Sequence, residues 1–246
     1  MDKQKILLIG CSWTAGTDAD RPAPADYLDN GKYKIYNAGI QGSSIYLHNF
    51  LLESLLTQVQ PDHVFFQLTG ARRYGFQTSK ISPDTVLSES WYDVKPNYKA
   101  LKLEDGIKQH FHIITPGNAD TEAKNRTNFQ KTANSDYNAW VFTDMFRHQF
   151  VQALAYTKHL LGTYSHTFIN SNSSSGYQGD PVLHKQVQQV LGKDPVLPYA
   201  EIPEYSNYIV DDGQHLNPAG AKLYCENIYN TRIPSTRKDE TPMFIL

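Results

Sequence analysis

Ser12 stands just past the apolar run Ile6-Leu7-Leu8-Ile9, inside the small-residue loop Gly10-Cys11-Ser12-Trp13-Thr14-Ala15-Gly16. A serine hydroxyl becomes a useful nucleophile when a neighbouring imidazole takes its proton. A carboxylate then fixes the imidazole tautomer and stabilises the cation that forms. Far downstream, Asp211-Asp212-Gly213-Gln214-His215-Leu216-Asn217-Pro218 offers both groups in one short stretch. Asp212 and His215 lie three apart, so one rigid turn entering a helix can set them on the same side. Asp211 is the competing carboxylate. A loop aspartate is also an ordinary turn or cap residue, and spacing alone leaves both readings open.

The first loop excludes other chemistries. No Gly-Lys-Ser/Thr follows the strand, so it is not a phosphate-binding P-loop. The Gly-x-Gly-x-x-Gly dinucleotide pattern is absent, and Thr14 breaks the Gly-x-Ser-x-Gly elbow of α/β-hydrolases.

Three elements must position this loop. The run Ile6 to Ile9 reads as a strand buried on both faces. Tyr33 to Tyr36 is a second strand, ending in Asn37-Ala38-Gly39-Ile40-Gln41-Gly42, and His63 to Leu68 is a third, ending in Thr69-Gly70. Each intervening segment is long enough for a crossover, which favours parallel pairing and gathers three glycine loops on one sheet edge. Ser43 or Ser44 caps a helix whose apolar face is Ile45, Leu52, Leu55, Leu56 and Val59.

Residues 71 to about 135 lose the alternation and read as an irregular, aromatic-rich insertion. A long helix follows over about 136–162, with the stripe Phe142, Phe146, Phe150, Ala153, Leu154 and Leu161. His166 to Asn170 reads as a fourth strand and Val182 to Leu191 as a short helix. Asn217 and Pro218 open a last helix that buries Ala221, Cys225 and Ile228. The tail from about residue 231 reads as loosely held. The chain contains neither an internal repeat nor a linker, so 1–246 is expected to be one domain.

Composition narrows the class. The chain has 246 residues, 40% apolar and 20% charged, with a formal net charge of −2. That balance, with scattered Lys and Arg, gives no electrostatic footprint for nucleic acid. Cys11 and Cys225 are the only cysteines, too few for a zinc set or a disulfide scaffold. No apolar segment approaches a membrane span, and the amino terminus lacks a signal-peptide core, so a cytoplasmic protein is expected. A secreted form after processing would read the same way. Oligomeric state is not legible.

These blocks, in this order, resemble the SGNH (GDSL-type) hydrolase family. The family's Gly-Asp-Ser block is matched by Gly10-Cys11-Ser12, its second block by Asn37-Ala38-Gly39-Ile40-Gln41-Gly42-Ser43, and its last by Asp212-Gly213-Gln214-His215-Leu216-Asn217. The resemblance spans nearly the whole chain. It implies a three-layer α/β/α sandwich with a mostly parallel sheet of flavodoxin-like topology. It also implies Ser12 as nucleophile, His215 as base, Asp212 as its orienter, and the Ser12 and Gly42 N–H groups as an oxyanion hole.

Two departures stand out. Cys11 replaces the family's aspartate and reads as a small buried packing residue. In the third block, Thr69-Gly70-Ala71-Arg72-Arg73 places Ala71 where the family has an oxyanion-binding asparagine. Arg72 and Arg73 are candidates for a substitute donor or for binding an anionic substrate.

The expected activity is ester hydrolysis through an acyl-enzyme, without metal or organic cofactor. Expected substrates are small-molecule or carbohydrate O-acyl esters, or lipid esters. An O-acyltransferase using the same residues, and a catalytically weak glycan- or protein-binding relative, are the rival readings.

Overall fold

The computed structural model describes residues 2–29, 31–77, 82–88, 90–103, 107, 110–114, 145–170, 180–210 and 215–235. Strand β1 (Gln4–Gly10) runs through the centre, with Ile6 to Ile9 no more than 1% exposed. It pairs in parallel with β2 (Tyr33–Gly39) on one side and β3 (His63–Gln67) on the other. The register sets Gly10 beside Gly39 at the carboxyl edge. Leaving β1, the chain crosses to one neighbour and then returns past it to the other. Such a reversal opens a crevice at the carboxyl ends of β1 and β3, the usual ligand position of open α/β sheets.

The main sheet has six strands, in the order β5-β6-β2-β1-β3-β8. Here β5 is Trp91–Lys95, β6 is Tyr98–Leu101 and β8 is His166–Ile169. All pairings are parallel except β5 with β6. A separate antiparallel pair joins β4 (Tyr74–Gln77) to β7 (Phe111–Ile114). Described parts of the stretch expected to be irregular therefore contribute strands to both sheets. Those strands are four or five residues long, and β5 exposes most of its length, so neither alternation nor a continuous apolar run marked them.

The two faces carry separate cores, as a three-layer sandwich requires. On one face, Leu7, Ile9, Val64 and Phe66 meet helix α2 (Ile45–Val59). The long helix Met145–Leu161 and the helix Pro181–Leu191 pack on the same side. Asn49 of α2 donates to the Ala153 carbonyl at 2.8 Å and locks the first two together. Residues 136–144, expected as the start of the long helix, and the expected stripe residue Phe142 lie outside the described residues.

On the opposite face Ile6, Leu8, Ile35 and Phe65 meet the 3₁₀ turn Pro24–Tyr27 and the last helix. That helix, Pro218–Tyr224, is capped by Asn217 Oδ1 on the Gly220 N–H and continues into a π-turn over Cys225–Tyr229. Ala221, Cys225 and Ile228 are fully buried. Burial pushes the Cys225 thiol up to about 12, with Glu226 adding to the shift. The described start of the tail makes contacts with the body of the chain. Arg232 pairs with Glu201, and Pro234 accepts a bond from Gln4 Nε2. Residues 236–246 lie outside the described residues.

His63 gives the fold a definite pH dependence. It is 2% exposed and bonds Ser165 Oγ at 2.8 Å and Thr167 Oγ1 at 3.1 Å. Burial, helped by nearby His166, lowers its pKa from 6.5 to about 4. The unfolded chain takes up this proton near its ordinary value, whereas the folded chain resists until about pH 4. Stability is therefore fully present above pH 6.5 and declines as pH falls towards 4. At pH 5 the loss from this group is on the order of 2 kcal/mol. Urea titrations at pH 7.5 and pH 5 are expected to show a shallower pH dependence in His63→Gln than in the wild type. Equal slopes would sink the assignment.

Candidate active site

After β1 the chain turns sharply into α1, a single turn over Ser12–Ala15. Cys11 is the N-cap residue, and its carbonyl takes the Thr14 and Ala15 N–H groups at 2.9 and 3.0 Å. The Ser12 N–H opens this turn and donates to no acceptor among the described residues. Gly10 makes the turn possible. A Cβ there would lie 2.1 Å from Thr14 Oγ1 and 2.4 Å from Gln67 Oε1.

Across 203 residues of sequence, His215 Nε2 sits 2.8 Å from Ser12 Oγ. This is hydrogen-bond contact between a hydroxyl and the nitrogen that would take its proton. His215 is held from both directions along the chain. Its carbonyl accepts the Val210 N–H at 2.8 Å, and Asn217 N–H donates to Tyr208 O at 2.8 Å. Trp13 lies against the imidazole with ring centroids 6.4 Å apart, and Tyr205 stacks at 6.2 Å from Trp13. Both Ser12 and His215 are half-buried, reachable by a ligand while backed by packed side chains. Asp211 and Asp212 lie outside the described residues.

The second loop lies directly beside the first. Ile40 N–H donates to the Gly10 carbonyl at 2.8 Å, and Gln41 Nε2 to the Gly16 carbonyl at 3.3 Å. Gly42 is exposed and adopts φ +70°, and a Cβ built on it would meet nothing within 4 Å. Its N–H has no acceptor among the described residues. An amide without an acceptor, on a loop bonded to the nucleophile's own loop, is available as an oxyanion donor.

The two arginines of the third loop part company. Arg73 Nη1 donates to the Ser43 carbonyl at 3.1 Å, one residue from Gly42. Arg72 is exposed and lies over the Phe146 ring at 5.6 Å. Ala71 is 3% exposed, a packing residue. Cys11 is also buried, at 5% exposure, as its packing reading requires.

Two residues that the sequence did not single out hold the serine turn. Gln67 ends β3, buried at 3%. Its Oε1 accepts from Thr14 Oγ1 at 2.6 Å and the Cys11 N–H at 3.2 Å, and its Nε2 reaches Cys11 Sγ at 3.5 Å. Asn37, in β2, donates from Nδ2 to the Thr14 carbonyl at 2.7 Å, and its Oδ1 accepts the Gly39 N–H at 2.9 Å. The available signal was polarity in the wrong place. Each is an amide in a buried strand, where an unpartnered side chain would be costly.

No family model matches the chain, and no curated protein sequence does. Among solved structures the chain is similar to TesA, at 16% identity and TM-score 0.47, covering 93% of this chain and 97% of that one. A lipase/acylhydrolase from Enterococcus faecalis gives 16% identity and TM-score 0.47, over 93% and 94%. The acetyl xylan esterase AlAXEase gives 13% and 0.49, over 92% and 98%. These are likenesses of chain path at low identity, and the chemistry of the site follows from its own atoms.

Three properties define that chemistry. A serine hydroxyl touches an imidazole, two amide N–H groups from adjacent loops lie without acceptors, and a guanidinium is fixed behind the second loop. Among the described residues there is no cluster of His, Cys, Asp or Glu that could hold a metal ion. No described helix is long and apolar enough to cross a membrane.

Proposed function

We propose that this chain is a serine ester hydrolase acting on O-acyl esters through an acyl-enzyme. The observation that carries the reading is the 2.8 Å contact between Ser12 Oγ and His215 Nε2. Ser12 Oγ attacks the ester carbonyl while His215 Nε2 accepts its proton. The carbonyl oxygen becomes an oxyanion that receives the Ser12 and Gly42 N–H groups. Collapse expels the alcohol, to which His215 returns the proton. A water molecule then repeats the sequence on the acyl-enzyme and frees Ser12 and a carboxylic acid. Asp212, three residues before His215, is our candidate for the carboxylate that holds the imidazole. Small acylated carbohydrates and short-chain esters are the substrates we would assay first.

The test uses the whole chain with a fluorophosphonate probe and p-nitrophenyl acetate between pH 6 and 9. Covalent labelling of Ser12, located by peptide mass, together with acetate release, is the expected result. Absence of labelling throughout that range would overturn the reading in favour of a binding protein. Transfer of the acyl group to an added sugar in preference to water would make the chain an acyltransferase.

We assign Arg73 as the residue that offsets the missing third donor. Its charge, fixed on the Ser43 carbonyl, lies one residue behind the Gly42 amide. Loss of one oxyanion contribution commonly costs ~10²–10³ in turnover, and a group acting from behind the hole contributes less. Arg73→Ala is expected to lower kcat roughly tenfold or more, whereas Arg72→Ala leaves it within about twofold. Full activity in folded Arg73→Ala would refute the assignment.

A further inference from the structure

We propose that His48 is a positioning residue of the oxyanion hole, setting the distance between the two loops that supply its donors. The proposal rests on the hydrolase reading above. The Ser12 N–H belongs to the turn after β1, and the Gly42 N–H to the loop after β2. An oxyanion site works only if donors from such separate segments stay fixed relative to each other. Besides the Gln41 bond to the Gly16 carbonyl, the segments meet at the Gly10 carbonyl oxygen. It accepts from Ile40 N–H at 2.8 Å, from Ser43 Oγ at 3.3 Å and from His48 Nε2 at 3.1 Å. His48 Nε2 is also 2.7 Å from Ser43 Oγ, the residue after Gly42. A single ring nitrogen thus touches the end of the nucleophile strand and the base of the oxyanion loop.

The contacts and the unpartnered ring nitrogen together select the tautomer. A carbonyl oxygen can only accept, so a bond from Nε2 to Gly10 O needs the proton on Nε2. His48 is therefore Nε2–H, with Nδ1 bare. Nδ1 is buried and has no hydrogen-bond partner among the described residues. A second proton there would be a buried donor with nothing to bond, which is the costlier error. The ring is 1% exposed and packs edge-on against Phe66, with centroids 5.6 Å apart. Burial and the nearby Arg73 charge lower its pKa to about 3, against a smaller upward pull from the Gly10 carbonyl bond. His48 is a neutral, fixed donor. It takes no part in proton transfer and is distinct in role from His215.

An ordinary packing residue would not need this arrangement. His48 falls on the apolar face of α2, among Ile45, Leu52 and Leu55, where a leucine would fill the space without an orphaned nitrogen. The only bonds the side chain makes among the described residues are to Gly10 and Ser43.

The experiment compares His48→Phe, which keeps ring volume and loses the donor, with His48→Gln, which keeps an N–H donor. In the folded His48→Phe protein, kcat is expected to fall roughly tenfold or more with KM within about twofold, because the loss is of transition-state binding. Phosphonate inactivation should slow in parallel. His48→Gln should recover kcat to within about threefold of wild type, with an unchanged pH profile. A merely structural histidine would lower stability in both variants and leave kcat per folded molecule unchanged, and that result overturns the proposal. Should His48→Phe fail to fold, Ser43→Ala removes the hydroxyl in contact with Nε2. It is expected to lower kcat by about threefold or more, and an unchanged kcat there overturns the proposal equally. Wild-type protein that reacts with neither ester nor phosphonate overturns the hydrolase reading itself, and with it the role given to His48.

Discussion

Ser12→Ala is expected to reduce ester turnover by at least about 10⁴-fold while leaving the thermal unfolding midpoint close to that of wild type. A factor of that size corresponds to roughly 5.5 kcal/mol of lost transition-state stabilisation. The residue is half-buried in a turn held by its neighbours rather than by its own side chain. The Thr14, Gln67 and Asn37 bonds that fix the turn do not involve Ser12 Oγ. Removing that oxygen thus deletes the nucleophile and leaves its setting in place. His215→Ala should produce a loss of similar order, and the double variant should be little worse than either single one. Residues acting as one unit are strongly non-additive. A residual rate above the uncatalysed one should persist, supplied by the Ser12 and Gly42 amides. Ser12→Ala with more than about a tenth of wild-type turnover would show that another group attacks the ester.

The parts of this site that were legible in the sequence share a physical origin. Ser12 and Gly42 occupy loops whose positions follow from short apolar strands and glycine punctuation, both strongly local signals. His215 stood out through Asp212 three residues before it and the resemblance of that block to the family's last one, with Asn217 and Pro218 marking a helix start just beyond. The pairing of His215 with Ser12 could not be read from either segment alone, since 203 residues separate them. Gln67, Asn37 and His48 escaped notice for a different reason. Their partners are backbone groups of distant turns, and no local spacing advertises such a bond. Short strands such as β5 and β6 were missed because the pairing of β6 to β2, and of β5 to β6, is a tertiary choice. Nothing in four or five half-exposed residues dictates it.

Gly39→Ala is the second substitution expected to have a large effect, and it tests whether the serine turn is held rigidly. A Cβ at Gly39 would lie 2.4 Å from Ala15 N, 2.7 Å from Ala15 Cα and 2.8 Å from the Thr14 carbonyl carbon. All three are backbone atoms of α1, so no side-chain rotation relieves the overlap. Neither partner can retreat cheaply. Gly39 is fixed in register against Gly10 and by its N–H bond to Asn37. The serine turn is tied to that same Asn37 through the Thr14 carbonyl, and to Gln67 through Thr14 Oγ1. Overpacking of this kind typically costs about 1–3 kcal/mol, or several degrees in Tm for a chain of this length. Catalysis should suffer more than stability, because a displacement near 1 Å of a reacting group can cost about 10²-fold. Gly192→Ala, at the C-cap of the helix Pro181–Leu191, is the matched control. Its φ of +76° disfavours alanine by about 1–2 kcal/mol, yet no atom stands in the way of the new methyl group. Gly39→Ala is therefore expected to lower kcat by about 10²-fold or more in protein that remains folded. Wild-type kcat in folded Gly39→Ala would mean that the turn can shift without harm, and that Ser12 is not held by the close approach of β2.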